Sequence, residues 1–202
     1  MKKIITLILI CLMSLAFSAN SFAGTVYLDC LSNGELDYDG WENDLSGVII
    51  GVDFPSNSFK VGFEYFNGSE EVGRFKYDLT QLELKGGYKV ADGLYVTLGI
   101  IDGDWEYEGS YDSVMLGLDL SKKITKELLL EGSVALSLSG SVDYDYYYEE
   151  IDADFLTFKG KVSYFFTNNL GASLGYRKTI IEDEEDFEIT TAGMTLGATY
   201  KF

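Results

Sequence analysis

Carboxylates are the side chains of this sequence whose number and spacing offer chemistry. Asp and Glu total 33 against 15 Lys and Arg, and there is no histidine. Carboxylates at alternating or consecutive positions can converge as oxygen ligands for Ca²⁺ or Mg²⁺. The candidates for weak cation binding are Asp102, Asp104, Asp143, Asp145, Asp183, Glu184, Glu185 and Asp186. The same residues also fit a solvated run of charge that binds nothing in particular.

The missing histidine removes the commonest hydrolytic sites. A nucleophilic Ser or Cys usually depends on a neighbouring base, most often His. Cys30 is the one cysteine outside the amino-terminal segment, so a zinc site would lack ligands. No spacing singles out a carboxylate pair for acid–base work. We therefore predict that the chain is not an enzyme and holds no metal or organic cofactor beyond weakly bound Ca²⁺ or Mg²⁺.

A strict alternation of residue types predicts the elements that position these carboxylates. From 191 to 202 every even residue is apolar and every odd residue is small or polar. A period of two over this length predicts a β-strand with one apolar face. Similar stretches recur along the chain, and short turns alternate with longer acidic connections. We predict ten strands of about ten residues each, or eight if the first hairpin does not form.

Five of the predicted connections are long acidic loops. They hold 23 of the 33 acidic residues and cover 37–44, 67–74, 102–112, 143–154 and 182–188. The turns between them are short, and the one over 121–127 is basic. The sequence therefore predicts a molecule with an anionic crown of loops at one end.

Three local patterns give more detailed predictions. Val26, Leu28, Cys30, Leu36 and Tyr38 share one parity, which predicts a single face for the first strand. The strand from about Lys76 to Val90 changes parity near its start, which predicts a bulge near Thr80. After the long strand 128–142, Tyr144, Tyr146 and Tyr148 continue its outward parity, which favours an interfacial girdle. The alternative is an adhesive tip formed by these tyrosines and Tyr147.

Residues 1–23 have the three parts of a Sec-type signal peptide. Lys2 and Lys3 precede an apolar run over 4–17, and Ser21-Phe22-Ala23 offers a small-x-small cleavage site. This run of fourteen residues is too short to span a bilayer well. Ile10 before Cys11 is too large for lipoprotein processing. We predict cleavage after residue 23 and a single mature domain over 24–202.

The pattern resembles bacterial outer-membrane β-barrels, and the small barrels of the OmpA and OmpX type over the whole mature chain. The resemblance is carried by even-numbered strands of this length, alternating connections, and the closing strand that ends on Tyr200 and Phe202. It implies an all-β, transmembrane, antiparallel up-and-down β-barrel in the cell outer membrane. In that family the closing strand is read by the barrel-assembly machinery, which implies this role for Tyr200 and Phe202. It also implies a monomer in contact with lipid and lipopolysaccharide.

A soluble exported barrel, such as a lipocalin-like fold, is the alternative architecture. It would turn the apolar face inward, and a water-facing strand would then carry long charged side chains. Here the other face is mostly Gly, Ser and Thr, small enough for a crowded interior. Aromatic residues also gather near the turns, as an interfacial girdle would: Phe54, Phe59, Tyr88, Tyr164, Phe166, Tyr200 and Phe202. The membrane barrel is therefore favoured.

The polar faces of the predicted strands place a set of charges in the lumen. These residues are Lys60, Glu64, Glu83, Lys85, Glu131, Lys159, Lys161 and Arg177, with Asp53, Asp119, Lys89 and Lys201 also on these faces. The two signs are near balance, and enclosed charges are costly unless paired. A plugged, ion-paired interior is favoured over a narrow water-filled channel, because small barrels hold little beyond side chains.

The charge of the chain limits its partners. Without Lys2 and Lys3 there are 13 basic and 33 acidic residues, a net charge near −20. Such a charge argues against binding nucleic acid. The acidic loops would instead attract cations or cationic polypeptides, and divalent ions could bridge them to lipopolysaccharide. We predict a structural or surface-interaction protein, and the alternative is a narrow, weakly cation-selective porin.

Overall fold

The computed structural model describes residues 24–72, 75–106, 109–144, 151–184 and 187–202. Ten antiparallel strands form one closed up-and-down barrel in which sequence neighbours pair and β1 closes against β10. The strands are β1 (Thr25–Tyr38), β2 (Trp41–Pro55), β3 (Phe59–Val72), β4 (Phe75–Ala91), β5 (Leu94–Trp105), β6 (Gly109–Lys123), β7 (Leu128–Tyr144), β8 (Ile151–Phe165), β9 (Leu170–Asp183) and β10 (Glu188–Lys201). The predicted all-β barrel of ten strands is confirmed. The described residues contain no helix long and apolar enough to cross a membrane.

The strands are longer than predicted, and the acidic loops are correspondingly short. The strands span 12 to 17 residues, and β1 and β2 are joined by only Asp39 and Gly40. Most residues assigned to acidic loops, including Asp102 and Asp104, therefore belong to strands that extend past the apolar surface. The prediction of long loops was wrong because polar residues in a strand above the lipid follow no apolar alternation. We call this end, with the connections after β1, β3, β5, β7 and β9, the acidic rim, and the opposite end the base.

The outer surface carries the apolar half of the alternation. Leu98 is 55% exposed, Leu196 62% and Leu174 53%, whereas their neighbours on the other parity line the interior. The predicted aromatic girdle lies at the base, where Phe59 contacts Tyr88 and Phe54 contacts Phe202 edge to face. This orientation is that of a membrane-spanning barrel and the reverse of a soluble one.

The interior toward the rim is filled by apolar side chains that the alternation did not predict. This apolar layer contains Leu31, Leu36, Leu45, Ile49, Phe66, Leu79, Ile101, Trp105, Tyr111, Met115, Val142, Ala153, Phe155, Ile181 and Ile189. Phe155, Leu36 and Val142 are among the most completely buried side chains. Trp105 and Tyr111 stack at 4.5 Å between ring centroids, and Tyr111 contacts Phe155 at 5.9 Å. The rim half of the barrel is thus packed like the core of a soluble protein.

Two register shifts explain why several of these residues were misplaced. The pairing of β1 shifts between Leu31 and Glu35, so Leu36 and Tyr38 face inward and Leu28 faces outward. The pairing of β6 with β7 skips Leu138, so Val142 and Tyr144 face inward as well. The single face of β1 and the outward girdle position of Tyr144 were therefore wrong, and Tyr146–Tyr148 lie outside the described residues.

The bulge predicted near Thr80 was also wrong. β3 and β4 pair without interruption from Phe59 opposite Tyr88 to Val72 opposite Phe75. Tyr77 and Leu79 are apolar on the inward parity because they belong to the interior packing above the charged residues of β4.

A gap in the ladder between β7 and β8 is the main irregularity of the wall. Regular pairing stops at Leu136 opposite Leu156 and resumes at Ser141 opposite Asp152. In the gap, the Phe155 N–H donates to Ser137 Oγ at 2.9 Å instead of to a carbonyl. A surface groove of about 540 Å³ lies there, between Leu138–Gly140 on β7 and Asp152–Asp154 on β8.

Shortening Phe155 tests whether the apolar layer stabilises the barrel. Phe155→Ala should lower the free energy of unfolding by about 3–5 kcal/mol, because it removes buried area and leaves a cavity. Phe158→Ala on the same strand is the matched control, since Phe158 is 50% exposed on the outer surface. It should cost less because lipid fills the space. Urea unfolding in lipid vesicles, followed by gel mobility, measures both, and equal losses would contradict the packing.

Candidate functional site

Between the apolar layer and the base, charged side chains from seven strands meet in the lumen. Alternation turns every second residue of each strand inward, so residues distant in sequence reach one level of the barrel. All eight lumen residues predicted from sequence face inward there and take part in ion pairs: Lys60, Glu64, Glu83, Lys85, Glu131, Lys159, Lys161 and Arg177. We call this set, with Asp53 and Asp119, the charged layer.

Glu64 on β3 is the centre of the charged layer. Its carboxylate lies 2.7 Å from Lys159 Nζ on β8 and 3.1 Å from Arg177 Nη1 on β9. Its second oxygen accepts a hydrogen bond of 2.8 Å from the Tyr27 hydroxyl on β1. Lys159 also pairs with Glu83 on β4. These contacts cross the lumen and join opposite walls of the barrel.

A second group of pairs lies nearer the base. Lys85 is 2.9 Å from Asp119 and 3.6 Å from Glu83, so it links the two groups. Lys60 lies 3.1 Å from Asp119 and 3.4 Å from Asp53. Lys161 lies 3.7 Å from Glu131, with its ammonium 3.6 Å from the centre of the Tyr27 ring. Each enclosed cation in these pairs thus has at least one carboxylate partner, which offsets its desolvation.

Sequence reasoning missed several buried neighbours of the charged layer. Tyr27 was not predicted as a lumen residue, although its odd parity relative to Leu28 offered that signal. Asp29 is buried and accepts a 2.6 Å hydrogen bond from Ser173 Oγ. The Arg177 guanidinium carbon lies 5.1 Å from the centre of the Phe66 ring, where the charged layer meets the apolar layer.

The space left inside the charged layer is small. A cavity of about 80 Å³ is lined by Tyr27, Glu64, Lys159, Arg177 and their neighbours, and another of about 20 Å³ lies beside Glu83 and Thr97. The first can hold on the order of five waters. A wider vestibule of about 170 Å³ opens at the base beside Lys123, Lys201 and Phe202.

The predicted cation-binding carboxylates do not converge. Asp102, Asp104 and Asp143 are exposed on the outer surface near the rim. Asp183 faces inward and is buried, and it accepts hydrogen bonds from the Tyr144 hydroxyl at 3.0 Å and the Phe187 N–H at 3.1 Å. Glu184 is exposed, and Asp145, Glu185 and Asp186 lie outside the described residues. Within the described residues, no group of three or more Asp, Glu or Cys side chains has the arrangement of a metal site.

Asp102 stands in an unfavourable electrostatic position. It lies directly opposite Asp112 in the β5–β6 register, and Asp104 follows two residues later on the same face. Partial burial, then the charges of Asp112 and Asp104, raise the pKa of the Asp102 carboxyl above its usual range. These carboxylates repel one another in the absence of a cation.

Tyr200 and Phe202, the residues of the predicted assembly signal, both lie at the base. Tyr200 is 49% exposed on the outer surface, and Phe202 is half-buried against Phe54. The Phe202 and Gly24 backbones exchange two hydrogen bonds of 3.1 Å, which continue the β1–β10 pairing to the last residue.

No protein-family profile and no curated protein sequence matches the chain. Solved structures do match its fold. The outer membrane protease OmpT from Escherichia coli has a TM-score of 0.59 at 10% identity, over 90% of this chain and 97% of that chain. Neisserial surface protein A has a TM-score of 0.53 at 14% identity, with the same coverage. The fold is therefore that of the small outer-membrane β-barrels. These two neighbours, a protease and a surface protein, have no common activity to suggest for this chain.

Removing one member of the charged layer tests its contribution to stability. Lys159→Met should lower the free energy of unfolding by about 3 kcal/mol, because Glu64 and Glu83 lose a shared counter-charge while enclosed. Lys76→Met is the matched control, since the Lys76–Glu71 pair is 4.0 Å long and about 60% exposed on both sides. It should change stability by less than about 1 kcal/mol. Urea titration of both variants in the same lipid measures these changes. An unchanged free energy of unfolding in Lys159→Met would contradict the stabilising role of the network.

Neutralising Asp102 should increase the stability of the barrel, whereas Lys159→Met should decrease it. Because the folded state raises the pKa of this carboxyl, its ionised form is less favourable folded than unfolded. Asp102→Asn should therefore stabilise the barrel at neutral pH by about 0.5 kcal/mol or less. The gain should vanish as pH falls below the usual range of an Asp, where the wild-type residue is protonated. Asp92→Asn, which loses a pair with Lys89 at 3.6 Å, should give no gain at either pH.

Proposed function

We propose that the protein is an outer-membrane barrel of the structural or surface-interaction type whose lumen does not conduct. The observation that carries this proposal is that two layers of side chains, one above the other, fill the interior. Ion pairs centred on Glu64 cross the charged layer, and the apolar layer from Leu36 to Ile189 fills the rim half. Ions passing along the barrel would have to displace packed aromatic side chains.

A narrow, weakly cation-selective porin is the alternative function. It needs a continuous water path, whereas the cavities of the charged layer measure about 80 and 20 Å³. The lining is near charge balance and the rim half is apolar, so neither layer offers a cation a favourable path. The interior of the described residues favours the closed barrel.

The outer surface supports a proposal for location and assembly. The apolar surface and the base girdle support an outer-membrane location with the base toward the periplasm and the rim outside. Residues 1–23 would direct export, and Tyr200 and Phe202 would present the closing strand to the barrel-assembly machinery. A closed sheet leaves no edge for pairing with a second copy, which supports a monomer surrounded by lipid and lipopolysaccharide.

Surface interaction is the role that remains for the rim. Its excess of carboxylates supports contacts with cations or cationic polypeptides, and weak Ca²⁺ or Mg²⁺ binding could link it to lipopolysaccharide phosphates. Nucleic acid would be repelled by the net charge of −18. With no histidine in the sequence and no described cluster suited to nucleophilic or metal chemistry, we propose no enzymatic activity.

Planar-bilayer recording tests the closed lumen. The refolded protein should show no stepwise conductance at any applied voltage, because both layers block water. A porin refolded by the same procedure is the positive control. Regular steps from this protein would contradict the proposal and support the porin, above all if neutralising Lys159 and Glu64 together changed their size.

A further inference from the structure

Two hairpins of the described rim, β1–β2 and β3–β4, carry apolar side chains far from the lipid. Trp41 begins β2 and is 79% exposed, and Phe75 begins β4 and is 68% exposed. They are the most exposed large apolar residues of the described chain, and Val72, 38% exposed, lies opposite Phe75. We call Trp41, Val72 and Phe75 the tip patch.

Lipid cannot cover the tip patch. Trp41 lies seven residues beyond Val48, the nearest exposed large apolar residue of β2, which is roughly 23 Å along the strand at 3.3 Å per residue. Trp41, Val72 and Phe75 also share the parity of inward residues Asn43, Glu70 and Tyr77 on their strands. They therefore project from the inner side of the hairpins, above the mouth of the barrel and away from the bilayer.

The hairpin that carries Trp41 is rigidly held. Asp39 and Gly40 both have positive φ, 48° and 90°, as a tight two-residue hairpin turn requires. The Gly40 N–H donates to Asp37 Oδ1 at 2.7 Å, and the Asp39 N–H donates to the Glu188 carbonyl at 2.9 Å. The backbone that carries Trp41 is thus held in place, so less backbone entropy is lost on binding.

The neighbouring hairpin is tied to the same support. Glu70, which is only 4% exposed, accepts hydrogen bonds from Tyr38 at 3.1 Å and from Asn43 at 2.6 Å. These bonds fix β1 and β2 to β3 directly beneath the tip patch. The two hairpins that carry the patch are therefore linked just below it.

Carboxylates lie on the outer face of the same hairpins, behind the tip patch. In the register of β1 to β4, Asp37 lies opposite Glu42, and Asp44 opposite Glu71. Lys76, in the described part of β4, is paired with Glu71 at 4.0 Å, and Arg74 lies outside the described residues. The sheet is one strand layer thick, so the negative potential reaches both faces within a Debye length of about 8 Å. Exposed indole and phenyl faces attract cations further.

We propose that the tip patch is a docking surface for a basic polypeptide segment, whose Arg or Lys side chains stack on Trp41 and Phe75 within the negative potential of the carboxylates on the outer face of the same hairpins. The inference deepens the surface-interaction role proposed above and rests on it. A second copy of this chain does not fit, because two acidic rims would repel each other. Lipopolysaccharide phosphates carry the wrong charge for the same surface.

The test uses the full barrel in detergent micelles and a labelled peptide of alternating arginine and glycine, with fluorescence anisotropy as the readout. The wild type should bind the peptide and not the same peptide with arginine replaced by neutral citrulline. Trp41→Ser combined with Phe75→Ser should weaken binding about tenfold without changing its salt dependence. Glu42→Gln, Asp44→Asn and Glu71→Gln together should weaken binding and flatten its salt dependence. Ile124→Ser, which removes an exposed apolar residue at the base, is the matched control.

Tryptophan emission gives an independent readout. The chain has two tryptophans, and Trp105 is 4% exposed inside the apolar layer. Peptide binding should therefore protect one exposed indole, Trp41, from acrylamide quenching. Unchanged affinity in the Trp41/Phe75 variant would contradict the role of the tip patch. Peptide binding would then be purely electrostatic and involve only the carboxylates of the rim. Absence of any peptide binding would overturn the docking surface, whereas the closed lumen is judged separately by conductance.

Discussion

The rest of the structure depends on the closure of ten strands into one cylinder of hydrogen bonds. In lipid, each backbone polar group must find its partner within the sheet, and the β1–β10 pairing leaves no edge unpaired. Closure also directs half of the strand side chains into an enclosed lumen, where a charge is costly unless it is paired with an opposite charge. The lumen chemistry of this protein is a response to that constraint.

The enclosed space is filled in two ways along its length. Near the base, Glu64 and Asp119 gather cations from opposite walls, so the filling is electrostatic. Toward the rim, Phe155 and its neighbours fill the same cross-section with apolar packing. Arg177 joins the two, with Glu64 on one side and the Phe66 ring on the other. In the proposed surface-interaction role, such an interior leaves the rim as the place for specificity.

Sequence periodicity predicted the strands, their number and the charged layer, because parity is preserved wherever the ladder is regular. Lys60 and Arg177 could thus be placed in one lumen from parity alone. Leu36, Val142 and Tyr144 could not, since each follows a register shift that reverses the face of its strand. The sequence predicts a loop at Asp102 because strands above the lipid have no apolar outer face, and therefore no alternation that identifies them as strands. The tip patch could not be predicted for the same reason.

Because of the gap between β7 and β8, the barrel wall does not resist opening equally around its circumference. A cylinder resists being opened through the bonds that run around its circumference, and between Leu136 and Ser141 regular pairing with β8 is interrupted. There the Ser137 side chain bonds the Phe155 N–H and the Asp154 carboxylate in place of regular pairing, and Phe155 is part of the apolar layer. Lateral pressure from the surrounding lipid is therefore resisted least along this seam. Any widening of the wall would begin at the place where the packed interior lies closest to the outside.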